Sequence, residues 1–238
     1  MKKSTRVLSI LFLIFLIGNQ FDYLKAADSL FNKRREMVET QIKKRGVKDK
    51  AALKAMLSVP RHKFVPPAHR AYAYADRPLP IGHGQTISQP YIVALMTSIL
   101  DLNSESVVLE VGTGSGYQAA ILSGICKEVY TVEIIPTLGK NADALLKGLK
   151  YGNIKVRIGD GYYGWEEYAP FDGIMVTAAA TYIPPSLIKQ LKPGGKMIIP
   201  IGGVFQVQRL MLITKKQDGS LTSENIIPVR FVPLTRAD

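Results

Sequence analysis

Two carboxylates and a glycine-rich turn set the chemistry that the sequence can do. Glu110 lies within the apolar run Val107-Val108-Leu109-Glu110-Val111, and Glu133 ends the run Val129-Tyr130-Thr131-Val132. Between them lies Gly112-Thr113-Gly114-Ser115-Gly116, with glycine at alternate positions. Glycine tolerates positive φ and lets a ligand approach the main chain closely. A helix that starts after such a turn points free N–H groups at whatever lies above it. An acid about twenty residues past the first glycine accepts both hydroxyls of a ribose diol, a geometry that neutral side chains match poorly. Asp160 follows one strand later, between Gly159 and Gly161, and is placed to meet an adenine amino group. Each acid alone could equally cap the turn after its strand. In register, they point to a nucleotide-type cofactor.

The second informative stretch is Pro80-Ile81-Gly82-His83-Gly84-Gln85-Thr86-Ile87-Ser88-Gln89-Pro90, which leads into a helix carrying Ile92, Val93, Leu95, Met96, Ile99 and Leu100. Ser88 has two readings. It could cap that helix, with Pro90 in the first turn. It could also face a substrate, because a helix N-terminus favours a carboxylate.

These residues require a scaffold of alternating strands and helices. Strands are expected at 107–111, 129–133, 154–158, 171–177, 196–201, 208–215 and 226–232. Helices intervene from Gln118, from Pro136 and from Pro184, the last ending near Lys192-Pro193-Gly194-Gly195. Such alternation predicts an α/β fold: a Rossmann-like, doubly wound, mostly parallel sheet of about seven strands with helices on both faces. Gly112, Glu133, Asp160 and Thr177 then fall at or just past the carboxyl ends of strands, where ligands bind in such sheets. An N-terminal helical extension precedes the sheet. One helix runs from Asp28 to Arg45 and stops at Gly46; another is capped by Asp49 and ended by Pro60. Residues 27–238 form a single domain on this reading, with 27–100 as a substrate-side extension and 101–238 as the cofactor-binding sheet.

A formal charge of +12 permits anionic partners, but the basic residues are scattered, and the clusters Lys33-Arg34-Arg35 and Lys43-Lys44-Arg45 read as a solvated helix face. The single cysteine, Cys126, excludes an intrachain disulfide and a thiolate metal cluster. His62, His69 and His83 lack metal-ligand spacing, so no metal site is expected. Residues 1–26 stand apart: Lys2, Lys3 and Arg6 precede an apolar run from Val7 to Ile17, which resembles a secretory signal or a short anchor. That run is short for a membrane span, and Leu24 weakens the cleavage site before Ala27.

The form Glu110-x-Gly112-x-Gly114-x-Gly116 resembles the nucleotide loop of S-adenosylmethionine-dependent methyltransferases. Tyr117, where a dinucleotide fingerprint wants glycine, disfavours a nicotinamide enzyme. With Ile81–Pro90, Leu109–Tyr117, Gly159-Asp160-Gly161, Leu191–Gly195 and Phe231-Val232-Pro233-Leu234-Thr235, the chain resembles the protein-L-isoaspartate O-methyltransferase family from about Arg34 to Thr235. The Gly-Gln-Thr-Ile-Ser-Gln-Pro segment is specific to that family. The resemblance implies methyl transfer from S-adenosylmethionine to the α-carboxyl freed when an aspartyl residue isomerises. It implies Ser88 as the active-site residue. Thr86, Ile87 and Thr235 would bind substrate, and Glu110, Gly112, Thr113, Gly114, Gly116, Glu133, Asp160 and Gly161 the cofactor. The partners implied are isoaspartyl-containing proteins and peptides, met by a monomer in the cytoplasm, with no specific nucleic acid. Membrane contact would come only through residues 1–26, whose alternative is export or anchoring. One departure from the family is Ala180, where a proline usually follows the paired alanines. Two other functions remain open on the residues alone: a methyltransferase acting on nucleic acid or a small molecule, and a non-catalytic nucleotide-binding protein.

Overall fold

A computed structural model describes residues 28–203 and 206–236. The signal-like segment lies outside them. Helix α1, residues 28–45, widens to a π turn over Met37–Ile42, tightens to 3-10 geometry at Lys43–Arg45, and stops as expected at Gly46, with φ 95°. Met37, Val38 and Ile42 form its buried stripe. Helix α2, Lys50–Ser58, is capped by Asp49, which accepts from the Ala52 N–H at 2.6 Å. Two 3-10 turns, Arg61–Phe64 and Pro67–Tyr72, carry the chain over the domain.

The stretch around His83 is a β-hairpin, which alternation did not reveal because its strands are so short. Strand β1, Leu79–Gly82, pairs antiparallel with β2, Gln85–Ile87. Its turn needs positive φ at three successive residues, Gly82, His83 and Gly84, which explains the glycines on either side of the histidine. Helix α3, Pro90–Leu100, follows at once, with Pro90 in its first turn.

The main sheet holds seven strands in the order β5-β4-β3-β6-β7-β8-β9. These are β3 Val107–Val111, β4 Glu128–Glu133, β5 Ile154–Ile158, β6 Phe171–Val176, β7 Leu191–Ile201, β8 Gln208–Lys215 and β9 Leu221–Val229. Pairings from β5 to β7 are parallel; β8 and β9 join antiparallel. The chain leaves β3 toward β4 and β5, then returns to the other side at β6. That reversal opens a crevice at the carboxyl end of β3.

Helices α3, α4 (Tyr117–Ser123) and α5 (Pro136–Gly148) cover one face of the sheet, with α1 and α2 packed outside them. Cys126 is buried in that layer. The other face is covered more thinly, by the short helix α6 (Pro185–Gln190) and by Trp165 and Tyr168, which pack on Tyr130. The boundary between α6 and β7, and both ends of β9, differ from expectation. Helix α6 stops at Gln190, and β7 runs through Lys192-Pro193-Gly194-Gly195 with an irregular register against β6. Strand β9 starts at Leu221 and ends at Val229; its first five residues are exposed on the sheet edge and so carry no apolar alternation. Among the described residues no helix is long and apolar enough to cross a membrane.

Candidate active site

The glycine turn is built as a backbone cradle at the end of β3. Gly112, Gly114 and Gly116 have φ of 97°, 52° and 82°. A Cβ on Gly112 would run into Thr177 Oγ1, and one on Gly161 into Val111. Thr177, just past β6, donates to the Gly112 carbonyl at 2.7 Å and holds the turn down from the neighbouring strand. The Gly112 N–H is tied to the Val132 carbonyl at 2.9 Å.

The acids act on both sides of this turn. Glu133 Oε2 accepts from the Gly114 N–H at 2.7 Å, and Oε1 from the Ile135 N–H at 2.9 Å. Each carboxylate oxygen keeps a lone pair for a ligand hydroxyl. Glu110 is fully buried and faces the α3–α4 layer. Its Oε2 accepts from Thr131 at 2.6 Å, Thr131 and Thr113 hydroxyls meet at 2.7 Å, and Oε1 has no hydrogen-bond partner. Burial raises the Glu110 pKa to about 8; the Thr131 bond opposes this and the neighbouring Glu133 charge adds to it. At neutral pH the group is largely a neutral acid with a proton to donate.

One pocket gathers most of the expected residues. Thr86, Ile87 and Ser88 line one wall, and Thr235 closes it from the C-terminal segment. Glu110, Gly112, Thr113, Gly114, Glu133 and Gly161 form the rest of its expected lining. Ser88 does not cap α3: Gln89 takes the cap position, and no side-chain cap bond forms. That removes the plainer reading of Ser88.

Two expected residues stand off the pocket wall. Gly116 precedes α4 and fits because a Cβ there would press on Leu146 and Ala142 of α5. Asp160 accepts from the Tyr162 N–H at 2.9 Å and from Arg236 Nε at 2.8 Å. Arg236 also lies 3.6 Å over the Tyr162 ring, so the C-terminal segment is latched beside the pocket. Sequence reasoning missed that latch, since nothing in the spacing of Asp160 and Arg236 relates them. It also missed Ile134 and Ile135, which line the pocket directly after Glu133. An apolar pair following a strand-end acid was a usable signal for a wall against a flat base. At the position that departs from the family pattern, the Ala180 N–H donates to the Pro200 carbonyl at 3.0 Å, a bond that a proline there would lack. Among the described residues there is no group of three or more His, Cys, Asp or Glu side chains able to hold a metal ion.

The cradle, the strand-end acid and the apolar pair fit a nucleoside cofactor. The family model described as Protein-L-isoaspartate(D-aspartate) O-methyltransferase matches residues 32–238. A protein-L-isoaspartate O-methyltransferase of Syntrophobacter fumaroxidans is 63% identical over 187 residues, 79% of this chain and 76% of that protein. One from Opitutus terrae is 52% identical over 229 residues, 96% of this chain and 97% of the relative. A solved protein-L-isoaspartate O-methyltransferase superposes with a TM-score of 0.75 at 32% identity, covering 84% of this chain and 65% of the other. A β-aspartate methyltransferase structure from Plasmodium falciparum, in complex with S-adenosyl-L-homocysteine, superposes with a TM-score of 0.74 at 29% identity, covering 86% and 99%. The chain belongs to the protein-L-isoaspartate(D-aspartate) O-methyltransferase family.

Proposed function

We propose that this chain methylates the free α-carboxyl of L-isoaspartyl residues in damaged proteins and peptides, and so initiates their repair through a succinimide. The observation that carries this reading is the meeting of the family-specific Thr86-Ile87-Ser88 wall with the Gly112–Gly114 cradle in one pocket. S-adenosylmethionine supplies an activated methyl, which passes to a carboxylate oxygen as the carbon–sulfur bond breaks and its electron pair stays on sulfur. The acceptor carboxylate, with an ordinary pKa of about 4, is already ionised at neutral pH, so no general base is required.

The protein's task is to orient two reactants and exclude water, and orientation alone can lower a barrier by roughly 7–11 kcal/mol. Glu133 takes the ribose hydroxyls, Ile134 and Ile135 flank the base, and the Gly112–Gly114 turn ahead of α4 faces the amino-acid end. Glu110 lines the same pocket, its Oε2 held by Thr131. Asp160 meets the adenine amino group, and its bonds from Tyr162 and Arg236 also organise the segment beside it. Ser88 orients the acceptor carboxylate with its hydroxyl, and Thr86, Ile87 and Thr235 hold the peptide around it. We place the enzyme in the cytoplasm, where S-adenosylmethionine is made, and take it to act as a monomer without specific nucleic-acid binding.

The test of the acceptor assignment is methyl transfer to an isoaspartyl peptide by wild type and Ser88→Ala. A positioning hydroxyl is worth one hydrogen bond to a charged group, so kcat/KM should fall about ten- to hundredfold, with S-adenosylhomocysteine affinity unchanged. Complete loss of turnover in a folded, cofactor-binding variant would contradict that role, as would full activity.

A further inference from the structure

Arg61 opens the first 3-10 turn after Pro60, and its side chain is completely buried, at 0% exposure. A guanidinium removed from water is expensive unless its charge is answered. Among the described residues no carboxylate pairs with it. Its Nε donates to the Ala73 carbonyl at 2.8 Å and its Nη2 to the Ser88 carbonyl at 2.7 Å. The guanidinium lies 4.8 Å from the centre of the Tyr117 ring. Nη1 is buried with no partner in good hydrogen-bond geometry, and the nearby Tyr117 hydroxyl supports the charge only in part. Both Ser88 and Tyr117 line the pocket. Burial pulls the Arg61 pKa below the usual arginine value, but a guanidinium stays charged throughout the working pH range.

Two features of this arrangement are hard to explain as packing. An apolar side chain would fill the same space without the desolvation cost. A fork that joins carbonyls 12 and 27 residues away makes a geometric tie between the 3-10 layer and the wall that carries the acceptor residues. The charge also sits against the Ser88 carbonyl, 2.7 Å away, in a region of low dielectric, where an anion is attracted far more strongly than across water.

We propose that Arg61 is a positioning residue for the acceptor carboxylate: it fixes the main chain of Ser88 and leaves a positive charge, not neutralised by any carboxylate among the described residues, behind the wall where that carboxylate binds. The assignment rests on the acceptor reading given above. Arg61 does not touch substrate; it acts through Ser88 and the electrostatic field.

The experiment uses the full chain with Arg61→Met and Arg61→Lys. For each, KM and kcat are measured with an isoaspartyl peptide, and S-adenosylhomocysteine affinity by calorimetry. Arg61→Met removes both the fork and the charge. Its peptide KM should rise about tenfold or more, the worth of one charge-assisted contact, while cofactor affinity stays within about twofold. Arg61→Lys keeps a cation but loses the planar fork; its KM should also rise, by less. Should Arg61→Met fail to fold, Arg61→Lys carries the test. An unchanged peptide KM in a folded variant would overturn the proposal. So would a loss of cofactor affinity in step with the rise in KM, because that is the signature of general loosening. If wild type itself leaves the peptide unmethylated, the acceptor reading fails separately. The positioning claim is then read from hydrogen exchange across residues 86–89, which should rise locally in Arg61→Lys and would stay at the wild-type level if the claim is wrong.

Discussion

Replacing Glu133 with alanine should weaken S-adenosylhomocysteine binding at least a hundredfold. Its carboxylate does two jobs. It accepts the Gly114 and Ile135 N–H groups at 2.7 and 2.9 Å, which shapes the cradle, and on the proposed reading its remaining lone pairs meet a ribose diol. Two hydrogen bonds to a charged acceptor contribute roughly 1.5–3 kcal/mol each, and about 1.4 kcal/mol is a tenfold change in affinity. Loss of the diol contacts alone therefore predicts a drop of about two to four decades. Glu133→Gln should fall between, because an amide keeps one acceptor oxygen but puts a donor where an N–H already points. Calorimetric titration of the three proteins with S-adenosylhomocysteine decides this. Equal affinities would mean that the cofactor lies elsewhere.

Glu110 makes the apo protein less stable as pH rises. Its folded pKa is about 8 against an ordinary value of 4.5. Below about 4.5 both folded and unfolded chains hold the proton, and stability is at its full value. Between 4.5 and 8 the unfolded chain releases the proton while the folded chain keeps it, so stability falls progressively through that window. The loss is on the order of a few kcal/mol, because a buried acid must either stay neutral or ionise with only the Thr131 bond on Oε2. Glu110→Gln keeps the shape, supplies a permanent donor in place of the acid proton, and cannot titrate. The melting temperature of the wild type should therefore drop by on the order of 5–10 °C more than that of Glu110→Gln between pH 5 and pH 8.5. Parallel curves would show that Glu110 ionises without cost and that its burial has been misjudged.

What could be read in the sequence follows from what each signal measures. Strands β3 and β6 are buried on both faces at the sheet centre and show as short apolar runs, so their positions followed directly. The glycine turn and Glu133 were legible because each answers to local geometry at the end of its own strand, β3 and β4. The β1–β2 hairpin was not, since three or four residues per strand carry too little alternation to register. Neither was the first half of β9, whose exposed edge position removes the apolar pattern. Within the site, the residues that escaped are those joined only by tertiary structure. The Arg61 tie to Ser88 spans 27 residues and the Arg236 latch on Asp160 spans 76, and no periodicity relates either pair. Asp160 was legible only in part. Its place after β5 suggested a contact with the base, and nothing in the sequence signalled that Tyr162 and Arg236 would also engage its carboxylate.

The central claim is that this pocket places an isoaspartyl carboxylate against an activated methyl group. The most direct measurement is transfer of labelled methyl from S-adenosylmethionine to two peptides of identical sequence, one with a normal aspartyl bond and one with an isoaspartyl bond. The account predicts base-labile label on the isoaspartyl peptide alone. Label on neither peptide, from a protein that still binds S-adenosylhomocysteine, or equal label on both, would contradict it.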